Sequence, residues 1–139
     1  MYRLPSAIAI ALCLATPSAA QMSTAEQVRP ILTMTAASWI AVRKWQGQDL
    51  LYFTQILPFR CGLSEIRYGL NGADATERFN AEPCPPDQDG QVFAAIEANE
   101  YLPYLTFEEG SIETVTITLV YDDGIEETLI YDRSAVKIQ

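Results

Sequence analysis

The chain has no histidine among its 139 residues. The commonest general base, imidazole metal ligands and any triad that relays a proton through imidazole are thereby absent. Serine or threonine nucleophiles would need lysine as activator, and only Lys44 and Lys137 occur, neither in a serine-lysine signature. Paired carboxylates are the surviving enzyme chemistry: Glu97, Glu100, Glu108 and Glu109 would supply an acid and a nucleophile for glycoside cleavage. Residues 81–139 carry thirteen acidic side chains, however, so close pairs arise by chance and the expectation is a non-enzyme.

Metal chemistry is equally thin. Asp87-Gln88-Asp89-Gly90 matches part of a calcium loop, but Pro85 stands two positions before Asp87 and Ile96 occupies the place of the closing glutamate, so the EF-hand pattern fails. Asp122-Asp123-Gly124 has a complete account as turn chemistry. No metal and no cofactor is expected. Recognition is the better use of the distinctive side chains: Trp39, Arg43, Trp45 and Tyr52 would share one face of a hairpin and form a candidate binding face for sugar rings, a peptide or a partner surface. The competing reading is packing, because Ile40, Val42, Leu51 and Phe53 on the other face make an equally good core and the pattern does not say which face is inward.

Met1 to Ala20 has the layout of an export signal, with Arg3, the apolar run Ala7 to Ala15, and small residues at Ser18 and Ala20 that favour cleavage before Gln21. The apolar run is too short to span a bilayer, so no stable membrane insertion is expected. Cys13 would be lost with the signal. Cys61 and Cys84 then remain as an even pair in an oxidising, periplasmic or extracellular milieu, and read as one disulfide. Charge is lopsided: residues 21–80 carry six basic and five acidic side chains, residues 81–139 two basic and thirteen acidic, within a full-chain charge of −9. That field repels phosphate backbones and anionic lipid heads, which argues against nucleic acid and favours a protein or other cationic partner.

The elements that must position these groups are hairpins. Around Gln46-Gly47 a two-residue turn pairs Lys44 with Asp49, Val42 with Leu51 and Ile40 with Phe53. Asn71-Gly72 predicts a second hairpin in which Glu65 faces Arg78 and Arg67 faces Thr76, with Cys61 opposite Glu82, two residues short of Cys84. A three-residue loop at Asp122-Asp123-Gly124 predicts a third, setting Tyr121 opposite Ile125, Ile117 opposite Leu129 and Val115 opposite Tyr131. The proline-rich stretch from Glu82 to Phe107 should be largely non-strand, with a short helix over Gln91 to Asn99. Ser23 and Glu26 fit a capping box, but Pro30 should stop any helix early, leaving 21–35 as an N-terminal lead-in.

The expectation is a signal peptide over 1–20 and a single domain over 36–139. Its fold class is all-β: an antiparallel β-sandwich, immunoglobulin-like in strand pattern, with one short helix; a small β-barrel is the alternative. That likeness licenses no activity. The expected function is a small, exported, acidic, non-catalytic binding module. An inhibitor of a basic secreted hydrolase and a carbohydrate-binding module are the alternatives, ahead of a carboxylate-based hydrolase.

Overall fold

The computed structural model describes residues 23–84 and 100–139. The export segment, the helix expected over 91–99, the Asp87–Asp89 turn and Glu97 lie outside the described residues. The chain is mostly strand: β1 (Ala41–Trp45), β2 (Gln48–Tyr52), β3 (Leu63–Leu70), β4 (Glu77–Arg78), β5 (Tyr104–Glu108), β6 (Thr114–Tyr121), β7 (Glu126–Asp132) and β8 (Lys137–Ile138). Helix appears as α1 (Ala25–Met34), as α2 (Arg133–Val136), and as 3-10 turns over Ala36–Ser38 and Leu57–Gly62. Two four-stranded sheets result, with strand orders β5-β2-β1-β8 and β4-β3-β6-β7. All pairings are antiparallel except β1 with β8, which runs parallel and follows from the α2 turn that carries the chain from β7 across to the other sheet.

Two hairpin registers form as their turn residues dictate. At Gln46-Gly47 both residues take positive φ, 48° and 76°, and Lys44 faces Asp49 while Val42 faces Leu51. At the third hairpin Gly124 has φ +84°, its amide donates to the Tyr121 carbonyl, and Tyr121 donates to the Ile125 carbonyl in the expected three-residue loop. The second hairpin corrects the expectation. Its Asn71-Gly72 turn forms, with Ala73 donating to the Leu70 carbonyl, but the returning chain then folds over Gly69, where a Cβ would run into the Ala73 and Asp74 carbonyls. Only Glu77 and Arg78 pair back, and Arg67 faces Arg78 instead of Thr76. That two-residue slip equals the offset that separated Cys84 from the position facing Cys61. The two sulfurs are bonded, with Cα atoms 5.2 Å apart.

The helix at the N-terminal end also departs from expectation. Thr24, one residue beyond Ser23, caps α1, and Gln27 completes the capping box by accepting from the Thr24 amide. Pro30 sits inside the helix and does not end it. The bond it deletes would have run to the Glu26 carbonyl, at an exposed position where water can serve instead, while Ala25, Val28 and Leu32 bury the opposite stripe. These three belong to one core cluster with Val42, Leu51 and Phe53 from the first sheet and Ile66, Val115, Ile117 and Leu119 from the second. Rings bridge the sheets: Tyr68 meets Phe53 at 6.1 Å and Phe107 at 6.3 Å between centroids. Among the described residues no helix is long and apolar enough to cross a membrane.

Candidate functional site

The inward face of the first hairpin is now fixed. Ile40, Val42, Leu51 and Phe53 are buried, so the outer face of the β5-β2-β1-β8 sheet carries Arg43 and Trp45 on β1, Leu50 and Tyr52 on β2, and Tyr104 and Thr106 on β5. Trp45 is 47% exposed, and the Arg43 guanidinium lies over its ring at 4.1 Å from the centroid. Tyr52 and Tyr104 face each other across the strand pair with centroids 5.2 Å apart. Ile138, facing Arg43 from β8, is 45% exposed. Tyr104 and Ile138 went unnoticed in the sequence, since each reaches this face only through a pairing between strands far apart in the chain.

Trp39 does not join them. Its backbone is helical (φ −58°, ψ −38°), so strand alternation begins only two residues later, and the indole is wholly buried. Its Nε1 donates to the Leu32 carbonyl at 2.8 Å, and its ring packs against Tyr131 at 6.4 Å. Three of the four candidate residues therefore share the outer surface. Trp39 serves as a buried anchor for α1 that also backs a hollow beside Tyr52.

Lys44 and Asp49 face each other in the expected register, but their side chains find other partners. Asp49 is fully buried, and both its oxygens accept from Arg133, Oδ1 from Nη2 at 2.8 Å and Oδ2 from Nη1; Oδ2 also accepts from the Ile112 amide. Hydrogen bonds from Arg133, followed in importance by those from the Gly110 and Ile112 amides, outweigh burial and hold the Asp49 carboxyl well below the usual carboxylate range. Lys44 pairs instead with Glu109. Arg133 also donates to the Ile112 carbonyl, so one carboxylate ties β2, the 110–112 loop and the β7–α2 junction together. Wholly buried and tied to three segments, it is a strut.

The remaining enzyme candidates, as far as they are described, lie on the surface. Glu100, Glu108 and Glu109 are all exposed, Glu108 at the end of β5 and Glu109 in the turn that follows. Among the described residues no group of three potential metal ligands occurs. The loop end of the molecule is instead a rim of acidic side chains, interrupted where Lys44, Arg133 and Lys137 line one hollow with Glu113. Asn71 gathers the 111–114 segment there, donating from Nδ2 to the Ser111 carbonyl and accepting at Oδ1 from the Glu113 and Thr114 amides. Glu108, Glu109 and Glu113 lie along this rim, and Asp132 joins them by facing Thr114; all four are exposed. Of these, Glu109 alone has an ion pair among the described residues.

No family model matches the chain, and no curated protein or solved structure is significantly similar to it.

Proposed function

We propose that the chain is an exported, non-catalytic binding module of sandwich type, its two sheets lying face to face with α1 along their flank, and that its acidic rim engages a positively charged protein surface. The observation that carries this reading is the rim itself: Glu108, Glu113 and Asp132 stand exposed at one end with no ion pair among the described residues. Carboxylates left unpaired on one side of a domain speed and orient encounter with a cationic partner, and add less to final affinity than to its rate. Inhibition of a basic secreted hydrolase is a particular form of this activity. The disulfide between Cys61 and Cys84 and the signal-like N-terminus support passage into an oxidising compartment.

The test is capture from the exported fraction on immobilised mature chain, followed by elution with rising salt. A specific partner should be retained at low ionic strength and released as the Debye length shrinks from ~10 Å at 0.1 M toward ~3 Å at 1 M. The combined variant Glu108→Gln, Glu113→Gln and Asp132→Asn should retain markedly less. Retention that ignores salt, or that the triple variant matches, overturns the reading. N-terminal sequencing of the exported product should begin at Gln21; an unprocessed product with free thiols would refute export.

A further inference from the structure

The outer face of the first sheet holds a cation with no counter-ion among the described residues. Every other described arginine has a carboxylate: Arg29 has Asp123, Arg60 has Glu82, Arg67 and Arg78 share Glu65, and Arg133 has Asp49. Arg43 has none among the described residues, although the whole chain carries −9. Its Nε, like that of Arg29, is out of contact with solvent and donates to no acceptor among the described residues. A buried donor left unmade costs about 1–3 kcal/mol, and Arg43, unlike Arg29, has no carboxylate on its remaining nitrogens to offset it. Stacking on Trp45 restrains the guanidinium plane and so limits what ordering a ligand would have to add.

Next to this cation the sheet is hollow. Two residues along β1 on the same face, the small side chain of Ala41 lines a groove of about 310 Å³ together with Trp39, Ile40, Tyr52, Thr54, Gln55 and Ile138. Ile138 both lines the groove and faces Arg43 in the sheet register, so Arg43 borders the groove on the same face of the sheet. The walls are mainly apolar, with Thr54 and Gln55 as the polar groups away from Arg43.

We propose that this is a binding site for a small monocarboxylate with an apolar body, the carboxylate accepting from the Arg43 guanidinium and the alkyl or aryl portion lying in the hollow over Ala41. The planar fork of arginine matches a carboxylate, and an apolar wall rewards hydrocarbon rather than the hydroxyl-rich surface of a sugar. The protein's overall negative field opposes an anion only weakly, because at physiological ionic strength charges more than ~8 Å away are largely screened. The site is separate from the acidic rim and stands or falls independently of the partner proposed for it.

Octanoate, octanol and glucuronate titrated into the mature chain, followed by tryptophan emission and calorimetry, test the assignment. Octanoate should bind, with octanol weaker by about tenfold or more, the value of a hydrogen bond to a charged group. Arg43→Gln should keep a cooperative melting transition and erase the preference for octanoate over octanol. Ala41→Phe, which fills the groove, and Ile138→Asp, which makes its wall polar, should each weaken binding of both. Absence of octanoate binding, equal affinity for octanol, or a preference that survives Arg43→Gln overturns the proposal. Glucuronate binding as tightly as octanoate also overturns it, and would make the face a sugar site.

Discussion

Removing either partner of the Asp49–Arg133 pair leaves the other charged and largely out of water. Asp49→Asn or Arg133→Met should therefore each destabilise by about 3 kcal/mol, measurable by urea unfolding. The pH dependence follows from the lowered Asp49 carboxyl: its stabilisation is complete above the unfolded carboxylate range and is lost as pH falls through that range toward the depressed folded value. The stability gap between the natural chain and Asp49→Asn should thus be full at neutral pH and shrink progressively below about pH 4. A gap that stays constant into acid would refute the strut. At this scale the sequence named Arg43, Trp45 and Tyr52 as one face but offered two equivalent faces, since period two alone carries no inside or outside. Asp49 was legible as a hairpin residue and not as the partner of Arg133, a contact spanning 84 positions that no local pattern announces.

The hairpins separate what turn chemistry dictates from what neighbouring loops override. Gln46 holds φ 48° where asparagine is preferred, so Gln46→Asn should stabilise by about 0.5 kcal/mol in thermal unfolding, leaving the fold unchanged. Asn71 combines φ 54° with three hydrogen bonds to the 111–114 segment; Asn71→Ala should cost about 2 kcal/mol, and a loss under half that size would show the loop is held elsewhere. Pro30 interrupts the α1 bond ladder at an exposed site, and Pro30→Ala should raise stability by about 1 kcal/mol after the entropy regained by the unfolded chain is counted. The first and third hairpins could be registered residue by residue because turn and pattern agree. The second could not: Asn71-Gly72 marks the turn, but the fold of 73–76 over Gly69 depends on packing against the chain's own backbone. Pro30 misled for a related reason, in that a buried apolar stripe outweighed one missing hydrogen bond.

For the molecule as a whole, the disulfide between Cys61 and Cys84 closes a loop across 23 positions. Reduction should lower stability by about 3 kcal/mol on the chain-entropy model, a fall of roughly 10 °C in melting temperature, checked by scanning with and without dithiothreitol. An unchanged melting temperature would mean that the unfolded chain is already compact around that loop. The β-rich class, the thiol pair, two of three hairpin registers and the acidic second half were set by the sequence itself, because turn residues, period-two alternation and charge act over a few positions. Tertiary structure alone decided which hairpin face is wet, that Trp39 anchors α1, that β8 runs parallel to β1, and that Arg43 is left beside an apolar hollow. Each depends on segments far apart in the chain meeting in three dimensions, where competition for burial and for counter-charges is settled collectively and leaves no local signature.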